Sequence, residues 1–136
     1  MARLLMSCSA GIFLLLGTLH LVYTFIGPKL LPRDLSLRAS MQAVSPVITG
    51  ETTMWKAWVG FNASHSMGAM LFGLIYGYLA WSHGELLFGS VFLLALGFAM
   101  LAGFLVLGWL YWFRIPLAGI TLALACYCAS ILIHRF

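Results

Sequence analysis

Residues 86–111 read LLFGSVFLLALGFAMLAGFLVLGWLY, an apolar run that contains no charged side chain. An α-helix rises about 1.5 Å per residue and the hydrocarbon layer of a bilayer is about 30 Å thick, so about 20 apolar residues can cross it. This run is longer than that. It predicts a membrane-spanning helix and decides the fold class.

Three further stretches have the same apolar character, and they cover about 4–26, 55–80 and 116–133. Gly27 and Pro28 end the first of them, and Pro116 occupies the first turn of the last, where proline is tolerated. The short connections between the later stretches favour antiparallel neighbours. We therefore predict an all-α polytopic membrane protein, an antiparallel bundle of four transmembrane helices that forms one domain over residues 1–136.

The overall composition excludes an ordinary water-soluble domain. Of the 136 residues, 63% are hydrophobic and 7% are charged, whereas a soluble domain carries roughly 25% charged residues. The net charge is +4, and the basic residues lie almost entirely between the apolar runs. This placement favours membrane lipids with anionic headgroups as partners, and it argues against nucleic acid.

Only the connection between the first two predicted spans is long, and it covers residues 28–54. Within it, the stretch DLSLRASMQAV offers Asp34 as a helix N-cap followed by a short amphipathic pattern. We predict a short interfacial helix over 34–44, with a covering lid and a plain connection as the alternatives. Three charged residues on this side are candidates for a loop or entrance site, namely Glu51, Lys56 and Arg114.

The distribution of basic residues predicts the orientation in the membrane. The side of the long loop carries Lys29, Arg33, Arg38, Lys56 and Arg114, and the side of the two termini carries Arg3 and Arg135. Because basic residues concentrate in cytoplasmic loops, this count places both termini together on the non-cytoplasmic side.

A cluster of polar residues interrupts the second predicted span. Residues 55–68 read WKAWVGFNASHSMG, and helical spacing places Trp58, Asn62 and His65 on one face. Ser64 instead falls in a row of small residues with Gly60 and Gly68. An unsatisfied amide or imidazole in lipid costs several kcal/mol, so these groups are expected to face protein or water.

His20 in the first predicted span is a candidate partner for this cluster. Measured from the side of the long loop at 1.5 Å per residue, it lies roughly 9–10 Å deep, against roughly 15 Å for His65. The difference is about one helix turn, which Asn62 could bridge. Whether the two histidines converge is left open by the sequence.

Three interpretations compete for these residues. In the first, Asn62, Ser64 and His65 form hydrogen bonds between helices and fix their register. In the second, His20 and His65 bind haem iron axially, or bind a metal ion with further ligands. In the third, Asn62 and His65 bind the polar head of a lipid-like ligand such as a quinone, sterol or polyprenol, and Trp58 contacts its apolar part.

The motif W-x-x-W-x-G-F-N-x-S-H-S-x-G, in a four-span chain of this size, resembles a bacterial family of small integral membrane proteins of unknown function. The resemblance implies the inner membrane and no established activity. In size and span count the chain is also similar to the DoxX-like proteins and to the four-helix membrane fold of sterol isomerases. The latter uses intramembrane acids, which the predicted spans here lack.

The sequence therefore leads to a membrane protein that binds an apolar or lipid-like ligand, or that serves as an accessory subunit of a membrane complex. Its candidate ligand-binding residues are His20, Trp58, Asn62, Ser64 and His65. The alternative is a small membrane enzyme, a lipid or quinone oxidoreductase or isomerase, or a haem-binding electron carrier that uses His20 and His65.

Overall fold

The computed structural model describes residues 1–135 of the chain. All regular secondary structure in this part is helical, and no strand occurs in it. The helices are α1 (Ala2–Phe25), α2 (Leu35–Ala43), α3 (Met54–Ser82), α4 (Gly84–Gly89), α5 (Val91–Tyr111) and α6 (Arg114–Arg135).

Three of these helices are long and apolar enough to cross a membrane. They are α1, α5 and α6, whose most apolar windows have mean hydropathies of 1.9, 2.5 and 2.0. Helix α3 has 29 residues and is longer than any of them, but it is not among the three. Its first half contains Asn62, His65 and two serines, and these polar groups lower its mean hydropathy.

The predicted third span differs from the structure in one respect. The sequence predicts an uninterrupted helix over 86–111, but the structure ends α4 at Gly89 and starts α5 at Val91. Ser90 between them is extended, with φ −95° and ψ 105°, and its hydroxyl accepts a hydrogen bond from the Leu93 amide. Serine at this position caps the new helix, which is why the apolar run is divided here.

The short helix predicted over 34–44 corresponds in position to α2. Asp34 is its N-cap, and the carboxylate accepts a hydrogen bond of 2.8 Å from the Ser36 amide. The hydrogen bonds from Ser36 favour the charged form, so they hold the pKa of Asp34 below its ordinary value. The cap is therefore present at neutral pH and weakens only as the pH falls through that lowered pKa.

Residue contacts divide the chain into two compact units. The core unit comprises Met1–Leu16 and Ala69–Phe136, and the loop unit comprises Gly17–Gly68. Helices α1 and α3 each contribute one end to the core unit and the other to the loop unit.

The core unit contains a cluster of buried hydrophobic residues in which Phe13 joins three helices. The Phe13 ring is 5.2 Å from that of Phe72 and 4.9 Å from that of Phe104, both in edge-to-face geometry, so one side chain of α1 contacts both α3 and α5. Helix α3 approaches α1 closely at Gly73, where a Cβ would lie only 2.6 Å from the Leu14 Cβ. The buried members are Met6, Ala10, Phe13, Ala69, Phe72, Tyr76, Ala80, Leu87, Phe88, Leu94, Leu101, Ile120, Ala123 and Tyr127.

Two buried tyrosines connect α3 and α6 to the start of α5. The Tyr76 hydroxyl donates to the Leu93 carbonyl at 2.6 Å, and the Tyr127 hydroxyl donates to the Leu94 carbonyl at 2.8 Å. Both rings lie against Gly97, where a Cβ would come within 2.5 Å of the Tyr127 hydroxyl. Glycine is therefore required at this position for the two tyrosines to reach their acceptors.

Hydrogen bonds within the loop unit join the segment between α1 and α3 to the start of α3. Gly27 follows α1 with φ +87°, a conformation that favours glycine, and redirects the chain. The Met54 amide then donates to the Val44 carbonyl at 2.8 Å, which joins the end of α2 to the start of α3. The Trp58 indole N–H also reaches the Leu30 carbonyl, at 3.4 Å. These bonds hold the connection between α1 and α3, residues 26–53, against the first turns of α3.

Candidate functional site

The structure brings three of the candidate residues together in the loop unit. His20 Nε2 of α1 lies 2.9 Å from Asn62 Oδ1 of α3, within hydrogen-bonding distance. The rings of His20 and His65 are 5.5 Å apart between centroids and meet at 65°, an edge-to-face contact. His20 and His65 therefore converge, and Asn62, one turn before His65, lies at the level of His20.

The hydrogen bonds of Asn62 determine which tautomer His20 adopts. The Asn62 amide nitrogen donates to the Trp58 carbonyl at 2.8 Å, so its oxygen is the group that faces His20. Because a carboxamide oxygen only accepts, His20 Nε2 must carry the proton. His20 Nδ1 is then the acceptor nitrogen of the neutral ring.

Asn62 is hydrogen-bonded within its own helix to the residue one turn before it and to the residue one turn after it. It is buried, and in addition to the bond from its side chain to Trp58 it accepts, through its carbonyl, a hydrogen bond of 2.8 Å from the Ser66 hydroxyl. Ser66 is fully buried. The Asn62 amide nitrogen and the Ser66 hydroxyl are thus satisfied within α3, and the amide oxygen of Asn62 is directed to His20 of α1.

Trp58 and Ser64 are placed differently from the other candidates. The Trp58 indole is partly exposed and is held by the loop through its bond to Leu30. Ser64 is exposed, and its hydroxyl donates to the Phe61 carbonyl at 3.0 Å. It lies away from Asn62 because a step of two residues turns a helix by about 200°.

The candidate entrance residues do not form one group in the loop unit. Glu51 is exposed, and its amide donates to the Thr49 hydroxyl at 3.1 Å. Lys56 is exposed in the first turn of α3, where its amide donates to the Thr53 hydroxyl at 3.3 Å. Arg114 belongs to the core unit, where it is the exposed first residue of α6.

Two further residues of the site were not among the sequence candidates. The Phe61 ring is stacked with His65, with 6.2 Å between centroids, so an aromatic side chain covers one side of the imidazole. Ser66 lies on the Asn62 face because a step of four residues turns the helix by only about 40°. Helical spacing could have identified Ser66, whereas the rotamer that places Phe61 on His65 has no signal in the sequence.

The geometry of the histidine pair does not favour haem or a metal ion. A porphyrin between two axial histidines needs each ring to present a free nitrogen to the iron. Here the two rings meet edge to face with 5.5 Å between their centroids, so no porphyrin fits between them. Within residues 1–135 no group of three or more His, Cys, Asp or Glu side chains is arranged to hold a metal ion.

Comparisons with protein-family models, curated proteins and solved structures found no match for this chain. The resemblance based on the motif of the second span therefore stays a prediction.

Proposed function

We propose that the chain is a multi-pass membrane protein whose cluster of His20, Asn62 and His65 binds the polar head of an apolar, lipid-like ligand. The observation that carries the proposal is the hydrogen bond between His20 Nε2 and Asn62 Oδ1, because it leaves His20 with an acceptor nitrogen beside a second imidazole.

The chemistry of this cluster suggests the kind of head that it binds. His20 Nδ1 is the acceptor nitrogen, so it matches a head group that donates a hydrogen bond. A hydroxyl group is such a donor. A sterol, a polyprenol or a reduced quinone has such a hydroxyl attached to an apolar body, and the surrounding membrane and the Phe61 ring accommodate that body.

The membrane setting supports this class of ligand. Helices α1, α5 and α6 each suit a span, and we assign the 29-residue α3 as a fourth, since it is about 43 Å long at 1.5 Å per residue. Four spans place both termini on one side. The basic residues around the long loop favour the non-cytoplasmic side for the termini, in the inner membrane of a bacterium.

The proposal is tested by identifying the lipids that remain with the protein after purification in a mild detergent. Mass spectrometry of the extract should show a hydroxyl-bearing lipid in near-equal molar amount with the protein. We expect His65→Leu to lose at least about tenfold of this lipid, because one imidazole partner is removed while the bond between His20 and Asn62 stays. Ser64→Ala is the matched control, and it should retain the lipid.

Two results would contradict this function. One is that only bulk phospholipid accompanies the wild-type protein. The other is that His65→Leu retains the lipid in full while its thermal stability falls, which would assign the histidine a purely structural role.

A further inference from the structure

Helix α2 packs with its arginine inward and its leucines outward. It has no fully buried residue, and Arg38 and Met41 are its only half-buried side chains. Leu35 on the same helix is 77% exposed, and Leu37 is exposed as well. In water this arrangement would be unfavourable, so the outer face of α2 is expected to lie against lipid.

Arg38 is held on an aromatic surface. Its guanidinium carbon lies 5.3 Å from the centre of the Trp55 ring of α3, a cation–π contact. Its Nε–H is shielded from solvent and has no hydrogen-bond partner among residues 1–135. The contact with Trp55 fixes the planar group. Because Nε is enclosed, an acceptor from outside can reach the guanidinium of this half-buried side chain only at its terminal nitrogens.

The preferred acceptor for such a group is an oxyanion. A guanidinium offers parallel N–H donors in a fork that matches the two free oxygens of a phosphodiester. The charge of the loop unit supports an anion, since Lys29, Arg33, Arg38 and Lys56 outnumber Asp34 and Glu51. Of the two acids, Asp34 already accepts the Ser36 amide.

The apolar surroundings indicate which anion is bound. Beyond the end of α2, Val44, Val47 and Ile48 are all exposed, and Ile48 is 91% exposed. Insertion of these side chains at the membrane interface would place Arg38 at the level of the headgroup phosphates. The Trp55 face is already occupied by Arg38, so it is not available to a choline group.

We infer that Arg38, held on Trp55, binds the phosphate of an anionic phospholipid headgroup and fixes α2 at the membrane interface. This site is separate from the ligand proposed at His20 and does not depend on it.

The test measures thermal stabilisation of the detergent-solubilised full chain by added phosphatidylglycerol. The apparent affinity for this lipid should fall about thirtyfold in Arg38→Gln, because a charge-assisted pair is lost. It should fall at most about fivefold in Arg33→Gln, a matched control that removes the same charge from an exposed loop position. Trp55→Leu, which removes the support of the guanidinium, should weaken binding in the same way as Arg38→Gln.

Three outcomes would overturn the inference. Equal losses in Arg38→Gln and Arg33→Gln would show that only the overall charge matters. Equal stabilisation by phosphatidylcholine would remove the preference for an anionic headgroup. Equal stabilisation by inorganic phosphate alone would identify a site for a free anion instead of a lipid. Circular dichroism of each variant shows whether it keeps the wild-type helix content, and Trp55→Leu tests the same contact from the other side if Arg38→Gln is poorly folded.

Discussion

At the scale of single residues, Asn62 organises the polar cluster. Its amide has a donor end and an acceptor end, and the structure uses both, toward the Trp58 carbonyl and His20 Nε2. A buried polar atom that loses its partner retains the cost of leaving water. Breaking either of these hydrogen bonds therefore destabilises the fold by more than forming it contributes. Replacement by an apolar side chain removes both bonds together.

The first prediction concerns Asn62→Leu. We expect its free energy of unfolding in detergent to fall by about 1–2 kcal/mol, since His20 Nε2–H loses its acceptor. Ser64→Ala on the same helix should change it by less than about 0.5 kcal/mol, because that exposed hydroxyl bonds only to its own helix. Denaturation followed by circular dichroism measures both. An equal effect of the two substitutions would show that the bond between His20 and Asn62 does not stabilise the fold.

Part of this cluster could be predicted from the sequence. Helical spacing placed Asn62 and His65 on one face, and the depth of His20 differed from that of His65 by about one turn. The structure brings His20 to Asn62 at that level. The spacing does not fix the angle between two helices or the side-chain rotamers. The sequence therefore does not determine that the two imidazoles converge or that the Phe61 ring stacks with His65.

At the scale of helices, α5 shows how a small residue positions large ones. Tyr76 and Tyr127 both reach the first turn of α5, and they do so across Gly97. Each hydroxyl thereby finds an acceptor in an otherwise apolar core, which satisfies the polar end of each ring. The packing of α3 and α6 on α5 thus depends on the absence of one methyl group.

The second prediction compares two glycines of α5. Gly97→Ala should destabilise the protein by about 1–3 kcal/mol, since its Cβ would overlap with the Tyr127 hydroxyl and the Tyr76 ring. Gly103→Ala should be neutral or stabilising, because nothing lies within 4 Å of its Cβ position and alanine favours a helix. Thermal unfolding of the two variants decides between them. Equal stability of Gly97→Ala and Gly103→Ala would show that Tyr76 and Tyr127 do not pack against α5 at Gly97.

The helix boundaries show a limit of the hydropathy pattern. The run over 86–111 is apolar throughout, and a hydropathy average does not register a break that leaves the side chains apolar. The signal was local, since Gly89 followed by Ser90 is a helix end followed by an N-cap. Asp34 before α2 is a more visible example of the same chemistry because it stands in a polar loop.

At the scale of the whole molecule, the number of spans depends on α3. Its length suits a crossing, but its polar face lowers its hydropathy below that of α1, α5 and α6. A helix that satisfies its polar groups internally can still cross a bilayer, because the hydrocarbon meets only its other faces. Here the Asn62 amide nitrogen and the Ser66 hydroxyl each donate to a carbonyl of α3, and the Asn62 oxygen bonds to His20 of α1.

The third prediction concerns topology. Reporters that are active on only one side of the membrane, fused at the N-terminal and at the C-terminal end, should give the same side. A reporter inserted at the exposed Gln42 of α2 should give the opposite side, because four crossings return the chain to its starting face. If the two ends lie on opposite sides, α3 does not cross the membrane and the assignment of four spans is incorrect.

The position of the polar cluster along the chain has a consequence for biosynthesis. The hydrogen bond between His20 and Asn62, the bond from Ser66 to Asn62 and the ring contact of His20 with His65 all lie inside the loop unit. Once Gly68 has left the ribosome, the donors and acceptors of the cluster have all been synthesised, whereas α4, α5 and α6 have not. The hydrogen bond between His20 and Asn62 can therefore form during translation, before the remaining helices exist.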